Sequence, residues 1–387
     1  MKHYLTSESV CQGHPDKLCD FLADSILDAC LTVDPCSRVA CEVMATKGKI
    51  MVAGEITCSQ RINVRKTVRA ALELAGYDPR DFHISVFLHA QSPDISHGVD
   101  RALEVRESMG TEDLLGAGDQ GTVYGYATDE TPTYLPLPLE RAHRICRLLD
   151  ASRKNGTICG IKSDGKAQVS IEYEEGKPSR VEAIVVSVQH DQTKDQEVLK
   201  GEIIHHILMS AFSDFPFDEQ THIFINPSGR FVEGGPAADT GLTGRKIMVD
   251  TYGGLALHGG GAFSGKDPTK VDRCGAYMAR FIAKHIVAAG LAQRCELAIS
   301  YAIGKSDPVA VNVHTYATGV VSDAVLSKAI SRVFSLRPGD MIDTLGLRNP
   351  LYSMTSCYGH FGNERFPWEQ TTAYYEAALK GALDHED

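Results

Sequence analysis

Pro15-Asp16-Lys17-Leu18-Cys19-Asp20-Phe21-Leu22-Ala23-Asp24-Ser25-Ile26 begins the stretch that decides the fold. Leu18, Phe21, Leu22, Ile26, Ala29 and Val33 recur at helical spacing until Asp34-Pro35 stops them, which predicts a helix over 15–33. Pro15 stands in the first turn, where a missing N–H costs little. Outward from this helix, residues 39–45 and 50–57 alternate as two strands around a Lys47-Gly48 turn. Residues 62–74 return to helical spacing and 82–88 to strand composition. The unit reads helix, hairpin, helix, strand.

The same order returns downstream. A helix over 139–155 ends at Gly156, a hairpin follows over 168–173 and 181–189, then a helix over 197–212 and a strand over 222–226. A third copy runs as a helix over 269–289, a hairpin over 295–303 and 309–315, and a helix over 323–334. The pattern repeats although the residues do not. It predicts an α+β protein of three similar units in pseudo-threefold packing, each with sheet against helix. The stretches 90–121 and 227–268 are rich in Gly, Pro and Asp and too long for turns, so they are candidate functional loops.

Composition narrows the function classes. The chain has 387 residues, 43% hydrophobic and 23% charged, enough for a large core and about two or three domains. A formal charge of −11 argues against an extended nucleic-acid surface, which needs clustered Lys and Arg. Any phosphate must be bound locally. Eleven cysteines, odd in number and without C-x-x-C spacing, fit reduced thiols rather than a disulfide framework. The first ten residues lack a signal-peptide core, and no apolar run approaches the roughly 18 to 20 residues that cross a bilayer. A cytoplasmic enzyme is the expectation.

Two glycine motifs invite nucleotide readings. Gly116-Ala117-Gly118-Asp119-Gln120-Gly121 fits G-x-G-x-x-G, but it follows acidic Thr111-Glu112-Asp113 and runs into the strand-like Thr122 to Tyr126; a dinucleotide loop instead follows a strand and opens a helix. Gly260-Gly261-Ala262-Phe263-Ser264-Gly265-Lys266 fits the start of a P-loop, but Asp267 stands where a hydroxyl should meet Mg²⁺. Backbone amides beside glycines, with a lysine, remain suited to an anion; a plain surface loop is the alternative. Lys166, Arg230, Arg245, Lys246, Lys266 and Lys270 all stand beside glycines or turn residues in an acidic chain, which suggests convergence on a highly charged ligand such as a triphosphate. His14 and Asp16 open the first helix, and Asp267 and Asp272 flank the start of the third unit's. Helix-dipole and capping roles are the plain readings, and Mg²⁺ held by one or two carboxylates with phosphate oxygens is the functional one. Glu42 and Glu55 lie on adjacent strands, on a face that is either simply polar or supplies carboxylates for a cation and an amino group.

Taken together, the segments resemble the S-adenosylmethionine synthetase family. The resemblance rests on Thr6-Ser-Glu-Ser-Val10, Gly13-His-Pro-Asp-Lys17, Gly54-Glu-Ile-Thr57, Gln91-Ser-Pro-Asp-Ile95, Gly116-Ala-Gly-Asp-Gln-Gly121, Arg153-Lys-Asn-Gly156, Asn226-Pro-Ser-Gly-Arg-Phe231, Gly241-Leu-Thr-Gly-Arg-Lys246 and Gly259-Gly-Gly-Ala-Phe-Ser-Gly-Lys-Asp267. These run in order nearly end to end. The resemblance implies three intertwined domains, here over 1–92, 109–224 and 226–363, in a homodimer with active sites between subunits, often paired into a homotetramer. It implies ATP and L-methionine as substrates, with Mg²⁺ (two per site) and K⁺.

Carried onto matching positions, it gives ATP His14, Asp164, Lys166, Arg230, Phe231, Asp239, Arg245, Lys246, Ala262 and Lys266. Methionine falls to Glu55, Gln91, Asp119, Asp239 and Lys270, Mg²⁺ to Asp16 and Asp272, and K⁺ to Glu42. His14, Lys166, Arg245, Lys246 and Lys266 would serve chemistry: attack of sulfur on C5′ of ATP, then triphosphate hydrolysis, with 91–101 as a lid. The acidic segment 104–115, His97 and Cys274 depart from the family pattern. A P-loop phosphotransferase, which would yield ADP, and a non-catalytic nucleotide-binding protein are the rival readings.

Overall fold

The computed structural model describes residues 2–108 and 114–383, apart from the side chains of 94–97. The chain opens with β1 (Lys2–Val10), a strand outside the repeat. The first unit supplies β2 (Arg38–Thr46), β3 (Lys49–Thr57) and β4 (His83–His89). A lone strand, β5 (Gly121–Thr128), precedes the second unit's β6 (Ile161–Glu174), β7 (Lys177–His190) and β8 (His222–Ile225). The two-residue β9 (Gly241–Leu242) precedes the third unit's β10 (Arg294–Tyr301) and β11 (Ala310–His314). Helices Pro15–Val33, Val64–Ala75, Leu137–Asn155, Val271–Ala288 and Asp323–Val333 stand where the periodicity places them. The helical run over 196–211 contains a π-helical turn, Ile203–Leu208.

The three lone strands explain the intertwining. Each hairpin leaves an open edge, and an open edge is a liability unless paired. Here β1 completes the second unit's sheet (β1-β6-β7-β8), β5 the third's (β5-β10-β11) and β9 the first's (β9-β2-β3-β4). Every unit therefore lends a strand to another. In the first two sheets the last strand runs parallel to its neighbour and the others are antiparallel. The third has no such closing strand among the described residues.

One hydrophobic core joins the first and third units, and a separate one lies under the second. The helix Val271–Ala288 is buried along almost its whole length, so its charged residues need internal partners. Arg273 forms a two-pronged pair with Asp24 (2.8 and 3.0 Å), and Arg280 does the same with Glu369 (2.7 and 2.9 Å). The helix lies so close to β5 that a Cβ on Gly125 would fall 2.0 Å from the Ala279 carbonyl carbon.

Candidate active site

The first helix carries an aspartate every fourth residue, and each binds backbone amides of the C-terminal half. Asp16 accepts from the amide of Leu242 (3.1 Å), Asp20 from Gly244 (2.8 Å), Asp24 from Gly265 (2.9 Å), and Asp28 from Tyr352 and Ser353 (both 2.8 Å). Four-residue spacing puts these carboxylates on one face. The first three hold the loops 241–246 and 263–267 against the helix, and those loops carry Arg245, Lys246 and Lys266. Lys17, fully buried, neutralises Asp20 (2.9 Å) and also pairs with Asp250.

Contacts among the predicted residues fall into two groups. The first gathers at the helix start. His14 caps it, its Nδ1 accepting the Asp16 amide at 3.2 Å. Burial, then Lys246 and Lys166, push the imidazole pKa down to about 3, so the ring is neutral. Lys246 Nζ lies 2.7 Å and Arg245 3.7 Å from the Asp16 carboxylate. Burial opposes ionisation of Asp16, but Lys246 and the Leu242 amide outweigh it and hold the carboxyl below its usual range. Lys166, on β6, pairs with Glu8 of β1 at 2.5 Å. Asp164, two residues earlier, accepts from the Gly235 amide (2.7 Å); burial pushes its carboxyl up to about 6, aided by the charges of Asp239 and Asp16.

The second group surrounds a cavity of about 300 Å³ lined by Glu55, Gln91, Asp119, Lys266 and Lys270. These include four of the five residues assigned to methionine. Lys266 Nζ reaches Asp272 at 2.6 Å. Burial pushes the Glu42 carboxyl up to about 7, against the nearby Lys266 and with Asp20 and Glu55. Ala262 adjoins Gly244, where a Cβ would lie 2.6 Å from its methyl group. Arg230 and Asp239 are exposed. Phe231 is fixed through its backbone, donating to His190 Nε2 at 3.0 Å and accepting from the His190 amide at 2.9 Å. Among the described residues, neither Arg230 nor Phe231 makes a side-chain hydrogen bond or ion pair to either group.

The glycine motifs resolve in favour of close packing. Gly116-to-Gly121 leads into β5, not a helix, and a Cβ on Gly116 would lie 2.6 Å from the Gly304 carbonyl oxygen. In the P-loop-like stretch, Gly265 at φ +81° gives its amide to Asp24, and Lys266 gives its own to Phe263. Asp267 is fully buried and accepts from the Val39 amide (2.7 Å) and from Thr269 (3.0 Å from its amide, 2.6 Å from its hydroxyl). It splices the loop to β2 and pairs with Lys270, and the next helix starts only at Val271. The loop presents Lys266 beside Asp272.

Four residues escaped sequence reasoning. Glu8 was legible only if β1 had been read as a strand. Arg38 and His89 line the second cavity, and His89 Nε2 lies 3.1 Å from Glu55. Tyr77 donates to the Gly13 carbonyl (2.5 Å), fixing the turn before His14. The lid assigned to 91–101 holds the helix Pro93–Asp100, and Val99 lines the cavity. Glu104 accepts from the amides of Ser306 (3.1 Å) and Asp307 (3.4 Å). The rest of the acidic segment at 109–113, and the side chain of His97, lie outside the described residues.

Among the described residues no three His, Cys, Asp or Glu side chains form a metal cluster. A cation that arrives with phosphate oxygens and water needs only one or two carboxylates, so Asp16 and Asp272 fit that chemistry. No described helix is long and apolar enough to cross a membrane.

Comparison with known proteins agrees with a chain of three domains. The family models for S-adenosylmethionine synthetase match in order: the N-terminal domain over residues 2–95, the central domain over 114–231 and the C-terminal domain over 233–370. S-adenosylmethionine synthase of Desulforudis audaxviator is 48% identical over 392 residues, covering 98% of this chain and 99% of that protein. The synthase of Roseiflexus castenholzii is 50% identical, with 95% and 94% covered, and that of Clostridium tetani 48% identical, with 95% and 97% covered. On three successive domain matches and near-complete relatives at this identity, the chain belongs to the S-adenosylmethionine synthetase family.

Proposed function

We propose that this chain makes S-adenosylmethionine from ATP and L-methionine. The methionine sulfur attacks C5′, the C5′–O bond to the triphosphate breaks, and water then cleaves the held triphosphate to phosphate and diphosphate. The observation that carries this reading is the pairing of each phosphate-site lysine with a carboxylate of the same site: Lys246 with Asp16, Lys266 with Asp272, Lys166 with Glu8. A triphosphate brings about four negative charges, so these lysines would turn to phosphate oxygens and leave Asp16 and Asp272 to hold Mg²⁺, two ions per site. Bound Mg²⁺ would neutralise charge on the leaving triphosphate. Glu42, its carboxyl pushed up to about 7 by burial, fits a monovalent cation such as K⁺.

The chain's own residues account for much of the work. The neutral His14 ring, with Nδ1 occupied by the Asp16 amide, carries its proton on Nε2 and can donate it as a hydrogen bond to the departing oxygen. Lys166, Arg245, Lys246 and Lys266 stabilise charge where it develops, and Arg245 serves the later phosphoryl step. Glu55, Gln91, Asp119 and Lys270 orient the amino acid, with Asp239 touching both substrates. Asp164, Arg230, Phe231 and Ala262 position the nucleoside. Holding sulfur, C5′ and oxygen in line removes roughly 7 to 11 kcal/mol in favourable cases.

The two-group layout supports a site shared between two copies. On the outer face of the first sheet, Met44, Met51 and Leu242 form one rung, Glu42, Ala53 and Phe87 the next, and Ala40, Glu55 and His89 the third. Met44, Met51, Leu242 and Phe87 are exposed. A homodimer that covers this face buries the apolar rungs and brings each second group toward its partner's first, and two such dimers would make the expected tetramer. Lys166→Met tests the chemistry: S-adenosylmethionine formation should fall at least about a hundredfold while ATP binding weakens far less. Unchanged turnover in a coupled assay would remove Lys166 from the reaction.

A further inference from the structure

A cleft wider than the cavity holding Glu55 lies beside it. It measures about 900 Å³ and opens between the ends of β3 and β4 and the start of helix Val64–Ala75. Ile56, Ile62, Val64, Val86 and Leu88 form an apolar strip along a lining that is otherwise polar. Its polar lining carries Arg61, Arg65 and His89 and, in a chain of net charge −11, no carboxylate. Arg61 makes no hydrogen bond or ion pair among the described residues, and Arg65 spends only its Nε, on the Ile84 carbonyl at 3.2 Å. Two guanidinium groups without counter-ions among the described residues, beside a strip of apolar side chains, suit a ligand with an apolar body and an anionic head.

We propose that this cleft binds an amphipathic anion, a phosphate, sulfonate or carboxylate on an apolar body, at a site separate from ATP and methionine. His89 and Ala90 line both this cleft and the cavity holding Glu55, and His89 Nε2 contacts Glu55 at 3.1 Å. An anionic head beside His89 competes with Glu55 for the ring and leaves the carboxylate freer for the methionine ammonium. Occupancy therefore lowers the methionine KM. This coupling rests on the reading of Glu55 given above; the binding does not.

Octyl phosphate is the probe, titrated by calorimetry into the full chain, into Arg61→Gln/Arg65→Gln and into Lys166→Met. Both arginines are exposed, so the double variant should fold. The expected result is saturable binding that weakens about tenfold or more in the double variant, persists in Lys166→Met and survives excess inorganic triphosphate. No saturable binding, unchanged affinity in the double variant, or displacement by triphosphate overturns the site. A bound probe that leaves the methionine KM unmoved overturns the coupling, and Glu55→Gln, read by methionine KM without octyl phosphate, tests the Glu55 reading on its own.

Discussion

His143 sits between Ser9 and Gly359, its Nδ1 2.8 Å from the Ser9 hydroxyl and its Nε2 without a partner among the described residues. Burial, with Arg147 and Lys17 nearby, pushes its pKa down to about 3, so the folded ring stays neutral. In the unfolded chain it would titrate near 6.5. Between these values the unfolded state takes up a proton that the folded state refuses, so its contribution is complete above about pH 6.5 and is lost as pH falls toward 3. His143→Gln should remove one proton from this linkage. Urea denaturation between about pH 6 and 4 should show wild type losing about 1.4 kcal/mol more per pH unit than the variant; parallel curves would mean that the ring is not held neutral. At this scale the sequence was informative where chemistry fixes residue type. The lysines and arginines beside glycines could be picked out because an acidic chain rarely places cations so. Asp267 was less legible, since a buried amide acceptor and a metal ligand look alike in sequence, and only its bonds to Val39 and Thr269 separate them.

At the scale of elements, periodicity located the helices and hairpins because each has one buried face. It did not locate β1 or β9. The latter is only two residues long, and β1 pairs with a hairpin more than 150 positions away (Glu8 opposite Gln168), so neither strand's partner was visible locally. The four-residue aspartate spacing on the first helix was present in the sequence, and carboxylates on an otherwise apolar helix signal loops tied to it by their amides. Close approach of elements leaves a weaker mark, a glycine where a strand would favour a larger residue. Gly125→Ala drives a Cβ into the Ala279 backbone, and neither strand nor buried helix can yield cheaply. The variant should lose at least about 1–3 kcal/mol of stability, read from its urea midpoint, and wild-type stability would show that the strand and helix can separate freely.

For the molecule as a whole, the threefold plan was legible because the unit recurs, whereas the exchange of strands was not, because it depends on which edge lies nearest in space. The apolar rungs on the first sheet were also hidden: alternation shows that one face differs from the other, not that the outer face is left uncovered by its own chain. Met51→Asp would place a charge in the middle of those rungs. It should shift the protein to a monomer in light scattering and abolish turnover while the circular dichroism spectrum stays intact; a fully active dimer would refute the shared site. The most direct test of the central claim is to incubate the purified protein with ATP, Mg²⁺ and K⁺, with and without methionine, and separate the products. Methionine-dependent S-adenosylmethionine, with phosphate and diphosphate in equal amounts, is the expected result, whereas ADP, or no S-adenosylmethionine at all, would contradict it.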